Sequence, residues 1–215
     1  MLTLFHSAGA RSLRVLWMLE EMGLDYSLKV LKPPVRARYK DYLEINPLGT
    51  VPTLYDDGHR MTESVAMIHY LATRYGPTDL ALGIEEPDYA EYLNYLVHGE
   101  ATLTFPQTVY LRYTRFEPDA GLEEAGIAYK KWFLSRTRLV DSVLAEQQWL
   151  CGGRFTAADI SVGYAFILAN SLGYAGELSP VLQDYLQRLA ERDGLKRARE
   201  RETQAAESAD KPLTF

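Results

Sequence analysis

The sequence has very little cysteine, a single residue at position 151 in 215. One cysteine cannot form an intramolecular disulfide, and its neighbours in WLCGGRF include no group of cations that would stabilise a thiolate. Cys151 is therefore expected to be a packing residue. The histidines, at positions 6, 59, 69 and 98, lack the close pairing of a metal site, so no metal is expected.

Long apolar runs and an excess of basic residues are also missing. No apolar run approaches the ~20 residues of a membrane-spanning helix, and the start, MLTLFHSAGARS, lacks the pattern of a secretory signal. The net charge of -6 argues against a general binder of polyanions, which needs clustered Lys and Arg. A cytoplasmic protein with no nucleic-acid or membrane partner is expected.

Residues 1–78 alternate between strand and helix patterns. LTLFH and YSLKVL read as strands, Ser12–Met22 and Arg38–Leu43 as helices, and VPTLYDDGHRMT as two strands joined at an Asp-Gly turn. A helix with apolar residues at helical spacing begins at Ser64 and stops at Gly76-Pro77. The predicted order is β-α-β-α-β-β-α, an α/β domain.

After Pro77 the pattern becomes helical, which predicts a linker over 79–86 and an all-helical domain over 87–215. Pro87 is expected at the first position of a long helix that Pro106 kinks or interrupts. Further helices are predicted at about 121–148, 156–172 and 178–192. The charged segment 196–211, KRARERETQAAESADK, is expected to fray.

The segment NPLGTVPTL, residues 46–54, combines a tight turn with a proline at the start of a strand. If the Val51–Pro52 bond is cis, the Val51 backbone faces outward and can pair with an extended peptide. Local sequence alone favours an ordinary trans turn, because cis bonds are only ~5–6% of X-Pro bonds in folded proteins.

Two other segments mark helix starts. At Glu63 and Ser64, free N–H groups and the helix dipole would suit a carboxylate, although a plain cap by Thr62 or Ser64 explains the pattern as well. In GRFTAADISV, Thr156 and Asp159 predict a capping box with a structural role, with Phe155 and Ile160 as its hydrophobic staple.

These pieces together carry a resemblance. SAGARSLRVLWMLEEMG, NPLGTVPTL, the Glu-Ser helix start and FTAAD follow the order and spacing of the glutathione S-transferase family, over the chain to about residue 195. The resemblance implies a thioredoxin-like first domain and an all-α second domain. It also implies that glutathione, as co-substrate, binds the first domain, and that a hydrophobic electrophile binds in the cleft between the domains.

The resemblance assigns parts of glutathione to residues of this chain. Val51, with its neighbours Thr50 and Pro52, matches the position whose backbone pairs with the cysteinyl part, and Glu63 with Ser64 matches the pair that holds the γ-glutamyl end. Arg38 falls where the family often places a basic residue for the glycine carboxylate, but RARYK offers several candidates.

The residue that stabilises the thiolate is less clear, because the chain departs from the known subclasses. Arg11 stands where beta-type bacterial transferases have cysteine, Gly9 or Ala10 where phi- and theta-like members have serine, and Phe5 or His6 where the mammalian cytosolic kind has tyrosine. Ser7, Arg11 and Ser12 remain. We favour Ser12 as donor with Arg11 adding positive potential; the alternatives are backbone N–H groups alone, with Ser12 merely capping the helix.

The electrophile pocket and the subunit interface are expected on helices. His98, Thr102 and Phe105 share one face at helical spacing. Further possible pocket residues are Tyr95, Tyr110, Tyr113 and Tyr164. The alternative is that these side chains form an aromatic core of the helical domain. The resemblance implies a homodimer, and the helix after Ser64 offers Met67, Tyr70 and Arg74 as interface positions unless it is only a surface helix.

Three functions are compatible with these features. The leading one is the transfer of glutathione to an electrophile, as in detoxification. The second is glutathione-dependent reduction of disulfides or peroxides, which the absence of cysteine at the first helix weakens. The third is a non-catalytic binding or regulatory role, since fold alone does not settle activity.

Overall fold

The computed structural model describes residues 1–208, and the chain divides into two compact units. The first unit comprises Met1–Thr78 together with residues 190–208, and the second comprises Asp79–Leu189. The sequence had predicted a second domain that ran from 87 to 215. The two divisions differ in the last helix, which packs on the first unit.

The described part of the first unit contains a four-stranded mixed sheet of order β2-β1-β3-β4. β1 and β2 are parallel, whereas β1 with β3 and β3 with β4 are antiparallel. The strands are β1 (Leu2–His6), β2 (Tyr26–Val30), β3 (Thr53–Asp56) and β4 (His59–Met61). The helices between them are α1 (Ser12–Met22), α2 (Val35–Arg38), α3 (Tyr42–Ile45) and α4 (Ser64–Arg74).

This arrangement confirms the thioredoxin-like α/β prediction, with one correction. Two single helical turns, α2 and α3, replace the one short helix predicted over Arg38–Leu43. The Asp57-Gly58 turn between β3 and β4 has positive φ at both residues, 44° and 86°, as a two-residue hairpin of this twist requires.

The second unit is helical in its described residues, as predicted, and Cys151 and Arg154 form an isolated β-bridge. Its helices are α5 (Tyr89–His98), α6 (Phe105–Leu111), α7 (Glu123–Arg136), α8 (Arg138–Leu144), α9 (Ala157–Leu172) and α10 (Pro180–Ala190). Helix α9 is buried along most of its length and forms the centre of this unit.

Several predicted helix bounds need correction. Pro87 lies in the turn before α5 and not at its first position. The predicted helix over 121–148 is two helices, α7 and α8, that meet at Thr137. The interruption expected at Pro106 takes the form of a π-helical segment, Gly99–Thr104, directly before α6. Proline has no N–H to donate to the preceding turn, and the wider π turn accommodates that loss.

The charged segment that was expected to fray is largely helical. Helix α11 (Asp193–Ser208) includes residues 196–208 of it, and 209–211 lie outside the described residues. Leu195, Ala198 and Glu202 are buried at the spacing of one helical face. The prediction was wrong because it weighed the average charge of the segment and overlooked this stripe.

No helix in residues 1–208 combines the length and the apolar character that crossing a bilayer requires.

The capping box at the start of α9 is confirmed. The Thr156 hydroxyl accepts a hydrogen bond from the Ala158 N–H at 3.3 Å, and Asp159 Oδ2 accepts one from the Thr156 N–H at 2.9 Å. The other carboxylate oxygen accepts from the Tyr185 hydroxyl and from the Leu150 N–H. Burial, opposed by these bonds, raises the pKa of Asp159 to about 6.

Candidate functional site

The register of the sheet brings three separate chain segments to one end of the first unit. Phe5 near the end of β1 faces Thr53 at the start of β3, and Leu54 faces Met61 at the end of β4. The join between β1 and α1, the turn before β3 and the start of α4 therefore lie at the same end of the sheet. This end is the candidate site.

The turn before β3 presents the Val51 backbone. The Val51–Pro52 bond is cis, and the ladder between β1 and β3 reaches Thr53, so Val51 lies beyond the paired part of the strand. Its side chain is half-buried and packs on the cluster of Phe5, Leu31, Val35 and Tyr42. The side chain thus anchors the residue, while its backbone lies outside the ladder between β1 and β3.

Two buried side chains fix this turn. The Tyr42 hydroxyl donates to the Thr50 carbonyl at 2.9 Å, and Asn46 Nδ2 donates to the same carbonyl at 2.8 Å. Asn46 Nδ2 also donates to the Thr53 hydroxyl at 3.1 Å. Thr50 itself is exposed and Pro52 is buried. Sequence reasoning missed Tyr42 and Asn46, although Asn46 opens the motif that it singled out.

The start of α4 is linked to α1 through a buried arginine. Arg14 is 0% exposed, and its Nη1 donates to the Ser64 hydroxyl at 3.1 Å. Ser64 is buried, whereas Glu63 is exposed at the N-cap position, and no side chain caps the helix. Sequence reasoning gave Arg14 no role, because only the fold brings residues 50 positions apart into contact.

The join between β1 and α1 is a tight turn closed by Ser12. The Ser12 hydroxyl is 0% exposed; it accepts from the Ser7 N–H at 3.2 Å and donates to the Ser7 carbonyl at 3.3 Å. Ser7 is buried as well, and its carbonyl also accepts from the Ala10 N–H at 3.1 Å. Gly9 has a φ of +71°, a conformation that glycine adopts without strain. No side chain caps α1.

The basic side chains near this end differ in position. Arg11 is half-buried at the N-cap of α1. Arg38 is exposed, and its Nε donates to the Pro33 carbonyl at 3.0 Å. Arg36 lies against the turn before β3, because a Cβ built on Gly49 would be 3.0 Å from Arg36 Cγ. Arg36 is thus the member of RARYK that packs beside this turn.

The predicted electrophile-binding residues lie in the second unit. His98 is half-buried at the end of α5, and desolvation lowers its pKa. Phe105 is 53% exposed at the start of α6. The π-helical segment between them turns more slowly than an α-helix, so the spacing from which one shared face was predicted does not hold.

Residues 1–208 contain neither an exposed cysteine nor a group of metal ligands. Cys151, in the second unit, is buried, and desolvation raises the pKa of its thiol to about 12. Among residues 1–208, no three His, Cys, Asp or Glu side chains form a group suited to a metal ion.

Comparisons with known proteins agree on one family. Residues 9–74 match the family model described as the N-terminal domain of glutathione S-transferase. The chain is 32% identical over 200 residues to the Escherichia coli glutathione S-transferase GstA, covering 88% of this chain and 92% of that protein. It is 27% identical over 183 residues to glutathione S-transferase 3 of Schizosaccharomyces pombe, covering 79% and 75% of the two chains.

Solved structures give the same picture. The structure of a sphingomonad glutathione S-transferase complexed with glutathione matches with a TM-score of 0.82 and 27% identity, over 94% of this chain and 98% of that one. The likeness therefore extends over both units.

Proposed function

Since this chain belongs to the glutathione S-transferase family and is a glutathione transferase, we propose that the candidate site binds glutathione, favours its thiolate and transfers it to a hydrophobic electrophile. In this reaction the thiol proton leaves to solvent, and the sulfur forms a bond to an electrophilic carbon. Its electron pair displaces the leaving group of that carbon. The observation that carries the proposal is the Arg14–Ser64 bond at an uncapped helix start, at the same end of the sheet as the Val51 turn.

The start of α4 binds the γ-glutamyl end. The Ser64 hydroxyl accepts from the Arg14 guanidinium, so its own proton is left to donate to the ligand carboxylate. A donor that is itself bonded to a cation is polarised and donates more strongly. The first N–H groups of α4 add to this carboxylate site, and the exposed Glu63 carboxylate pairs with the ligand ammonium.

The turn before β3 binds the cysteinyl part of glutathione. The Val51 backbone lies just beyond the ladder between β1 and β3, where an extended peptide can pair with it as an additional strand. Thr50 and Pro52 belong to this subsite through the backbone that they share with Val51. The bonds from Tyr42 and Asn46 to the Thr50 carbonyl hold the subsite in place before the ligand arrives.

The join between β1 and α1 holds the sulfur. A glutathione thiol of ordinary pKa near ~8.5 needs hydrogen bonds or a helix start to become a thiolate at neutral pH. The proton of the Ser12 hydroxyl already lies toward the Ser7 carbonyl, which favours the alternative in which backbone N–H groups at the uncapped start of α1 hold the thiolate. Arg11 adds positive potential, and Ser7 and Ser12 keep the turn closed.

Ser12→Ala tests this assignment. We expect a small change in the pKa of bound glutathione, because the backbone donors remain; a pKa raised to that of the free thiol would instead assign the proton donor to Ser12. The pKa is measured from the ultraviolet absorbance of the thiolate over a pH series, with melting curves to show that the variant is folded.

The glycine end of glutathione binds the basic segment after β2. The family resemblance assigns Arg38 to the glycine carboxylate. Arg36 is the alternative, because it packs against Gly49 in the turn before β3. Arg36→Gln and Arg38→Gln, compared by the KM for glutathione, separate the two. The larger increase in KM identifies the residue at the glycine carboxylate.

The electrophile pocket includes His98 and Phe105 of the second unit. His98→Ala and Phe105→Ala should change the KM for the electrophile while the affinity for glutathione stays constant. Unchanged kinetics in both variants would remove these residues from the pocket.

A homodimer forms through the outer face of α4. Met67, which the sequence offered for this interface, is not a candidate because it is fully buried in the single chain. Tyr70 is half-buried and Arg74 exposed, and both line a cavity of about 470 Å³ with Asp56, Asp57 and His59. Light scattering that gives the mass of a monomer would exclude the dimer.

Calorimetry with glutathione tests the function as a whole, followed by conjugation of glutathione to a generic aryl halide. The alternatives, reduction of disulfides or of peroxides, are assayed in parallel. The lone cysteine is buried with a raised pKa, which disfavours a mixed disulfide with the protein. Binding without any of the three activities would favour the non-catalytic role, and no binding would refute the proposal.

A further inference from the structure

Helix α11 places one buried carboxylate against the join between β1 and α1. Glu202 Oε1 accepts a hydrogen bond from the Gly9 N–H at 3.2 Å, although 193 positions separate the two residues. The same oxygen lies 3.0 Å from His6 Nε2, and Arg199 Nη1 lies 3.9 Å from the other carboxylate oxygen. Glu202 is 8% exposed, which is unusual for a glutamate on a helix as charged as α11.

The position of Glu202 is fixed by a second set of contacts nearer the start of α11. Arg192 forms a two-pronged bond to the Glu21 carboxylate, at 2.9 and 2.7 Å. Arg197 donates to the Glu20 carboxylate at 3.2 Å and to the Glu20 carbonyl at 2.6 Å. Two-pronged bonds of this kind set orientation as well as distance, so they define the register of α11 along α1.

Close backbone approach adds to this register. A Cβ built on Gly194 would lie 2.5 Å from Glu21 Cδ, so a larger residue at 194 would displace the Glu21 side chain that Arg192 binds. Leu195 and Ala198 are buried on the face that also carries Glu202. Helix α11 therefore packs through the face that carries Leu195, Ala198 and Glu202, and the last of these residues contacts the Gly9 amide.

We propose that Glu202 is a positioning residue for the sulfur site: its carboxylate holds the Gly9 amide and thereby the geometry of the join between β1 and α1. This inference rests on the proposed function, which assigns the thiolate to that join. Gly9 sits in the left-handed region, where glycine has wide conformational freedom, so an acceptor from outside the turn restricts it further. A hydrogen bond to a buried charged acceptor is among the stronger hydrogen bonds in proteins.

The role of Glu202 is geometric. A carboxylate near a thiolate would repel it, so the negative charge itself does not favour ionisation. Glutamine keeps an acceptor oxygen at the same place and removes the charge. The hypothesis thus predicts opposite outcomes for two substitutions at one position.

The experiment compares Glu202→Ala, Glu202→Gln and Glu200→Ala, the last a control at an exposed position of the same helix. We expect Glu202→Ala to lower kcat roughly tenfold, the loss of one charge-assisted hydrogen bond. Its KM for glutathione should change little, since Val51 and Ser64 are untouched, and the pKa of the bound thiol should rise. Glu202→Gln should restore most of kcat, and Glu200→Ala should match the wild type.

Two kinetic outcomes would overturn the proposal. One is a Glu202→Ala variant with the kcat and thiol pKa of the wild type. The other is a Glu202→Gln variant with a kcat as low as that of Glu202→Ala. An acceptor oxygen at this position would then not be sufficient to hold the Gly9 amide.

Amide exchange of Gly9 without glutathione tests the contact separately from the function. Exchange should be at least roughly tenfold faster in Glu202→Ala than in Glu202→Gln, and equal rates would refute the contact. If Glu202→Ala does not fold, the wild type and Glu202→Gln are compared, and faster exchange in Glu202→Gln by the same factor would refute it. Failure of glutathione to bind the wild type would instead refute the proposed function and leave this measurement valid.

Discussion

Two helix starts in this molecule solve the same problem in opposite ways. The first N–H groups of α9 are met by the chain's own Thr156 and Asp159, which form a complete capping box. Helix α4 begins with no side-chain cap, and its first hydroxyl, on Ser64, is bonded to a buried arginine. Where the chain's own side chains accept from the first N–H groups of a helix, the helix start supports the fold. A helix start without a side-chain cap has N–H donors that a ligand can use.

The difference is one of residue placement more than of residue type. Both starts combine a hydroxyl with an acidic residue. At α9 the carboxylate follows the hydroxyl by three positions and turns back onto the backbone, while at α4 the carboxylate of Glu63 precedes Ser64 and is exposed. Substitutions at the two starts should accordingly divide between stability and ligand binding.

The largest effect should come from Asp159→Ala, which deprives Thr156, Leu150 and Tyr185 of their common acceptor. We expect the free energy of unfolding to fall by about 4 kcal/mol, since several buried donors lose their partner at once. Urea unfolding measures this, with Asp184→Ala at an exposed position as control. A loss below about 1 kcal/mol would show that the box does not support the fold.

The contribution of the α9 capping box to stability should also depend on pH. Asp159 has a pKa of about 6 in the folded protein against 3.8 as its ordinary value, so the folded state binds a proton more tightly than the unfolded state. Its contribution to stability is full below pH 4 and is lost as the pH rises through 6. The loss should be on the order of 3 kcal/mol.

This pH effect is read from urea unfolding of the wild type and of Asp159→Asn between pH 4 and 7.5. The wild type should lose stability relative to the variant as the pH rises. Parallel curves would contradict the raised pKa.

At the uncapped start, Ser64→Ala should raise the KM for glutathione about tenfold, the effect of one strong hydrogen bond to a charged group. Stability should change much less than in Asp159→Ala. Thr73→Ala, at an exposed position of the same helix, is the control. A Ser64→Ala variant that loses stability but keeps the wild-type KM for glutathione would show that Ser64 supports the fold and does not bind the ligand.

The smallest effect is expected for Thr156→Ala, which removes one half of the capping box and should cost about 1 kcal/mol. Asp159 keeps its other bonds in that variant. Differential scanning calorimetry should show a fall in Tm of about 2–4 °C, with glutathione affinity unchanged. An unchanged Tm would count against the cap.

Local patterns in the sequence predicted the parts of the molecule that depend on neighbouring residues. Alternating apolar residues predicted the strands, and Asp57-Gly58 predicted the hairpin turn. The spacing of Thr156 and Asp159 predicted the capping box. Each of these features depends on contacts within a few positions of the chain. Met67 could also have been placed correctly. It lies four residues before the apolar Leu71, so the two residues share one face of α4, and both are buried.

Contacts between distant residues could not be predicted in this way. The bond from Arg14 to Ser64 depends on how α1 packs on the sheet, and the bond from Gly9 to Glu202 depends on a helix that looked like a solvated tail. The apolar neighbours of Arg14, and the Leu195 and Ala198 spacing before Glu202, do indicate buried helix faces. They do not identify the partner of either side chain, which only the fold determines.

The first unit is made of two pieces of chain that the ribosome synthesises at different times. The sheet residues precede Asp79–Leu189 in the chain, and α11 follows that segment. At ordinary translation speeds this leaves an interval on the order of ten seconds in which the nascent sheet lacks its last helix. During that interval the Gly9 amide has no Glu202 to bond with, so the contact that we propose to hold the join forms only after α11 has been made.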